Sequence, residues 1–62
     1  MTRREAEVLT MVSLGFLEKE VGLRLNLSRN TVKQHLAACR WKLDAATTTA
    51  ACCTAIRMGL IP

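Results

Sequence analysis

The sequence predicts an all-α fold of four short helices, and three observations lead there. Apolar residues recur at helical intervals, most clearly Val32, Leu36, Cys39 and Leu43, which follow one another at i, i+4, i+7 and i+11. Residues suited to starting and ending helices punctuate the chain: Thr2 and Gly15, Ser28, the threonines at 47 and 48, and Gly59. Val, Ile and Thr do not alternate with polar residues, Tyr is absent and aromatics make up only 3% of the chain, so a sheet is disfavoured.

The first helix is expected over Thr2 to Leu14. Thr2 and Glu5 have the spacing of a capping box, in which each side chain meets the other's backbone N–H. Val8, Leu9, Met11 and Val12 supply its apolar side, Gly15 stops it, and Phe16 packs beneath the turn. A short second helix runs from Leu17 to Leu25, with Leu17, Val21 and Leu25 one turn apart and Glu18 and Glu20 at the positive end of its dipole. Gly22 weakens helix propensity there but permits close approach of the next helix. Asn26 tolerates positive φ, so Asn26-Leu27-Ser28 reads as a tight turn between two helices, which is helix-turn-helix spacing.

The third helix, capped by Ser28 and running to Leu43, is the one the chain is organised around. Its Val32–Leu36–Cys39–Leu43 stripe faces the core, and Asn30, Lys33, Gln34 and Ala37 fall away from it. Asp44-Ala45-Ala46 is a loop. Thr47 or Thr48 caps a fourth helix that continues to about Met58, and Gly59 ends it before Pro62 closes the chain. Ala51, Ala55 and Met58 form one stripe on that helix and Cys52 and Ile56 a neighbouring one, more apolar surface than one small core needs.

Charge is distributed with a direction. The formal net charge is +4, four of the five acids are Glu5, Glu7, Glu18 and Glu20, and no Asp or Glu lies between Val21 and Leu43. The third helix therefore carries Arg29, Lys33, Arg40 and Lys42 without internal neutralisation, an arrangement suited to phosphates. A helix with one side fixed to a core and the other offering Asn, Lys and Gln matches a reader of major-groove base edges.

Other functions are disfavoured. Three cysteines are an odd count, Cys52 and Cys53 are adjacent, and there is no CxxC, which argues against a disulfide framework and suits core or interface thiols in a reducing cytoplasm. One His and no metal-ligand spacing leave no metal site or cofactor in view. His35 has no carboxylate, Ser or Cys placed to orient it, there is no phosphate-binding glycine loop, and an enzyme is not expected. No signal peptide and no bilayer-spanning apolar run appear, so no membrane partner is expected. With a helix cap at its second residue and no linker, the chain reads as one domain, residues 1–62, from the C-terminal part of a longer protein.

Taken together, TRREAEVL at 2–9, Gly15, KEV at 19–21, Leu25, LS at 27–28, TVKQHL at 31–36, KL at 42–43 and the closing A-IRMGLI resemble the LuxR-type (GerE-like) helix-turn-helix domain of bacterial transcription regulators. The resemblance covers essentially the whole chain. RMGLI is similar to the ending of the quorum-sensing, acyl-homoserine-lactone branch, and NarL-like response regulators share the same domain. It implies a cytoplasmic domain that binds a half-site of double-stranded DNA, dimerises through its last helix, follows an upstream regulatory domain, and has RNA polymerase as a further partner. Departures from the family pattern are Leu17 where a small hydroxyl residue is usual, Gly22 for Ala, Thr48 where Arg is frequent, and Ala37 for a longer polar side chain.

By position in that resemblance, and by the face each occupies, Asn30, Lys33, Gln34 and Ala37 are expected at base edges. Lys33 suits guanine O6/N7, Gln34 suits adenine N6/N7, and Asn30 suits either. Ser28, Arg29, Thr31, Arg40 and Lys42 are expected at phosphates, and Cys52, Cys53 and Ile56 at a homodimer interface. Trp41 lies opposite the apolar stripe and either covers the adjacent turn or packs near DNA sugar-phosphate. The competing readings are a helical protein-interaction module whose basic face is merely solvated, and another helix-turn-helix class such as the terminal region of a sigma factor.

Overall fold

A side-chain hydrogen bond, to a hydroxyl or a carboxylate, marks the start of each helix and a residue of positive φ its end, and the four starts and stops define the fold. In the computed structural model, which describes residues 1–62, the helices are α1 (Arg3–Ser13), α2 (Glu18–Leu25), α3 (Arg29–Lys42) and α4 (Thr48–Arg57), with no strand. Thr2, Ser28 and Thr47 are the N-caps of α1, α3 and α4, each hydroxyl accepting from the backbone N–H three residues on. At α1 the box closes, because Glu5 Oε1 also accepts from the Thr2 N–H at 3.0 Å.

The four C-termini repeat one device. Gly15, Asn26, Asp44 and Gly59 all have positive φ, and the next residue's N–H in each case reaches back to a carbonyl of the last turn. These bonds run from Phe16 to Met11, Leu27 to Gly22, Ala45 to Arg40 and Leu60 to Ala55, at 2.8–3.1 Å. Asn and Asp tolerate this conformation through their short polar side chains. Asp44, in the loop expected over 44–46, is itself the left-handed residue that stops α3.

α3 packs against all three other helices. The core consists of Val8 and Leu9 from α1, Val21 from α2, Val32, Leu36 and Cys39 from α3, Ala51, Cys52 and Ala55 from α4, and Ile61. Phe16, Leu25 and Leu43 border it, partly buried, and Arg24 lies over the Phe16 ring at 4.6 Å. The Cys39 and Cys52 thiols sit 3.7 and 3.9 Å from the carbonyl oxygens of Glu5 and Leu9, and burial pushes both thiols up from their ordinary pKa.

Three expectations need correction. Leu17 does not join the apolar side of α2: it precedes the helix as its N-cap residue and is exposed. Met58 is likewise exposed, because α4 ends at Arg57 and Met58 is already the capping residue. Trp41 covers no adjacent turn, being 85% exposed. Ile61 is buried though no periodicity signals it, since it lies beyond α4 and only the reversal at Gly59 brings it back onto the core. No helix is long and apolar enough to cross a membrane.

Candidate nucleic-acid interface

The α2–turn–α3 unit is held at a fixed angle by three residues. Asn26 adopts φ 57° and ψ 46°, reversing the chain. Gly22 allows the turn to lie directly on α2, since a Cβ there would come within 2.7 Å of the Leu27 carbonyl oxygen and 3.8 Å of a Val32 methyl. Ser28 then fixes the first turn of α3. Its hydroxyl accepts from the Thr31 N–H at 3.1 Å and donates to Thr31 Oγ1 at 2.9 Å. That leaves the Thr31 hydroxyl proton free to point outward, next to the unpaired N–H groups at the positive end of α3.

With the Val32–Leu36–Cys39 side buried, Asn30, Lys33, Gln34 and Ala37 are all exposed on the opposite side. None of the four side chains makes a hydrogen bond or ion pair within the domain. Lys33 and Gln34 are not walled in by the other helices, so the surface that could enter a groove is open. His35 is half-buried.

The expected phosphate-contacting cations divide into two kinds. Arg29 sits 3.6 Å from Glu18 on α2, and Lys42 lies 2.7 Å from Glu5 Oε1 on α1. Arg40 donates to the hydroxyl of Thr48 at 2.9 Å and keeps its charge unpaired. Thr48, which stands where Arg is frequent in the resembling family, thus serves as an anchor for Arg40. Glu5 is the site residue that sequence reasoning missed. Its spacing from Thr2 predicts half of a cap, yet it is 7% exposed and holds Lys42 as well as Thr2. The Lys42 hydrogen bond, followed by the Thr2 N–H, draws its carboxyl below the usual glutamate range. The box spacing makes the Thr2 contact readable locally, whereas Lys42, whose ammonium meets the same Oε1, lies 37 residues away in sequence.

On α4 the three residues expected at a dimer interface do not share one exposure. Cys52 is buried in the core, whereas Cys53 and Ile56 face outward. All three border a shallow groove with Val12, Ser13 and Thr49, between α1 and α4. No cluster of His, Cys, Asp and Glu side chains is arranged to hold a metal ion.

Comparison with known proteins agrees with this geometry. The family described as bacterial regulatory proteins, luxR family (GerE), matches residues 1–55. The chain is 41% identical over 61 residues to the quorum sensing-dependent transcriptional regulator RpaR of Rhodopseudomonas palustris, covering 98% of this chain and 25% of that protein. It is 38% identical over 60 residues to the uncharacterized response regulatory protein YgeK of Escherichia coli, covering 97% and 41%. It is 36% identical over 61 residues to the transcriptional regulatory protein LiaR of Bacillus subtilis, covering 98% and 29%. The chain spans between a quarter and two-fifths of the length of these relatives.

Proposed function

Because the chain belongs to the luxR family of bacterial regulatory proteins, and so is a DNA-binding transcription-regulator domain rather than an enzyme, we propose that it reads DNA by laying α3 in the major groove. The observation that carries this is the open Asn30–Lys33–Gln34–Ala37 surface on a helix whose other side is buried. Lys33 and Gln34 address base edges, with Asn30 beside them and Ala37 able to approach a thymine methyl. Ser28, Arg29, Thr31, Arg40 and Lys42 hold phosphates and set the register. Arg29 and Lys42 then exchange or share their carboxylate partners with the backbone.

A single short recognition helix offers limited area, so the useful specificity comes from two half-sites and a homodimer. The α4 face with Cys53 and Ile56 outward, and Cys52 at its edge, supports that pairing. The shares of the relatives left unmatched support a regulatory domain upstream in the full-length protein, with RNA polymerase the further partner through which binding alters transcription.

Selecting bound sites from a randomised duplex pool tests the reading. Enrichment of a palindromic motif is the expected result, and retention that is equal for all sequences would refute base readout. In the same assay Lys33→Ala should erase preference at one position per half-site, at a cost of about 1–3 kcal/mol.

A further inference from the structure

We propose that Trp41 belongs to the DNA-contacting surface, its indole laid against the sugar-phosphate backbone where α3 leaves the groove. This rests on the groove placement of α3 argued above and extends it to a residue with no role in the fold. Trp41 is 85% exposed, the most exposed large apolar side chain in the domain. Such a ring in water leaves most of its apolar area unburied.

Its position is specific. Trp41 lies nine residues after buried Val32, half a turn round the helix, and within about 20° of Gln34, seven residues earlier. It therefore points the same way as the base-reading residues but sits roughly 10 Å further along the axis. The major groove is only about 12 Å wide, so a side chain that far along the same face has left the base edges and meets the flanking strand. Arg40 and Lys42 flank it, and α3 contributes no carboxylate; Asp44, exposed in the following loop, is the one acid nearby in sequence. An indole suits that boundary, its face covering deoxyribose and its N–H donating to a phosphate oxygen.

The test uses the chain's own probe. Trp41 is the only Trp and Tyr is absent, so the intrinsic emission reports this one side chain. A mixed-sequence duplex at low salt suffices, because a backbone contact does not depend on sequence. Binding is followed by the anisotropy of a fluorescein label on the duplex, and contact by acrylamide quenching of Trp41. The expected result is a severalfold fall in the quenching constant at saturation. Trp41→Ala should weaken binding to mixed and selected duplexes alike by about tenfold, the size that covering roughly 60 Å² of indole supplies. Trp41→Phe should restore most of that loss. Helix circular dichroism should show the Ala variant melting with the parent, since the ring contributes nothing to the core. If the labelled duplex binds while Trp41 stays as open to acrylamide as in the free domain, this proposal fails and the groove placement stands. If no duplex binds, both fall together. Protection that grows with protein concentration in the absence of DNA would assign the ring to a second copy and overturn the proposal.

Discussion

Glu5→Gln is the perturbation that best separates what Lys42 does for the fold from what it does for DNA. Glu5 Oε1 accepts from the Thr2 N–H at 3.0 Å and from Lys42 Nζ at 2.7 Å. A glutamine keeps one carbonyl oxygen for Thr2 but removes the charge that faces the ammonium. The Lys42 side chain is 39% exposed, so water screens the pair and its value stays near the surface range, about 1 kcal/mol. Glu5→Ala also removes the helix-cap half of the contact and should cost about 2 kcal/mol in all. In a domain of this size each kcal/mol moves the thermal midpoint by about 4–8 °C, so both variants are resolvable by circular dichroism of the helix signal. The pH dependence has a definite sign. The folded-state pKa of Glu5 is depressed, so its contribution is fully present above the unfolded value of about 4.3 and disappears as pH falls through the lower folded value. Glu5→Gln should therefore flatten the acid limb of the stability curve. A Gln variant that melts with the parent at neutral pH, and loses stability in acid just as steeply, would refute the assignment. Lys42→Met should show the same cost, and the double variant should cost less than the sum of the two.

Other outcomes follow from the geometry. Ile56→Asp places a charge on the outward face of α4 and should abolish pairing on a palindromic duplex, seen as loss of the two-protomer species in sedimentation, while half-site binding persists. Gly22→Ala should destabilise the domain despite a helix-propensity gain of about 1 kcal/mol, because its Cβ would meet the Leu27 carbonyl oxygen at 2.7 Å; a raised melting temperature would show that the turn can retreat. Lys33→Ala should leave the melting temperature unchanged, since the exposed side chain makes no hydrogen bond or ion pair in the domain, while relaxing sequence preference.

The fold was legible wherever a local signal fixed it. The Thr2–Glu5 box, the Ser28 cap and the left-handed Asn26 are each readable from residues within one turn, and Val32, Leu36 and Cys39 from a single helical period. What escaped was non-local. Ile61 is buried through a chain reversal rather than a periodic stripe, and Leu17 fitted an apolar period that the helix start then cut off. The missing hydroxyl cap at Leu17 is partly offset by Glu20, whose Oε1 accepts from the Leu17 N–H at 2.8 Å. That is half of a capping box, working without the other half.

The division of cations along α3 shows how the site and the fold constrain each other. Glu18 holds Arg29 at the first turn and Glu5 holds Lys42 at the last, so the two ends of the helix are tied to α2 and α1 by the acids that the sequence places outside it. Lys33, between them, is tied to nothing. A cation already bonded to a carboxylate must give up or share that partner to reach a phosphate, which lowers its net gain on binding. A free one gives up only its hydration and side-chain freedom. Lys33 can therefore contribute its full differential to the correct base. The tethered pair contribute a smaller, sequence-independent share, and they contribute it at fixed positions. Removing Glu5 should then act oppositely on the two properties, weakening the fold while releasing Lys42 to bind any duplex more tightly. Binding of Glu5→Gln to a mixed-sequence duplex, measured well below its melting temperature, should be tighter than the parent's and steeper in its salt dependence. Weaker binding with an unchanged salt slope would mean that Glu5 instead holds Lys42 in the geometry a phosphate needs.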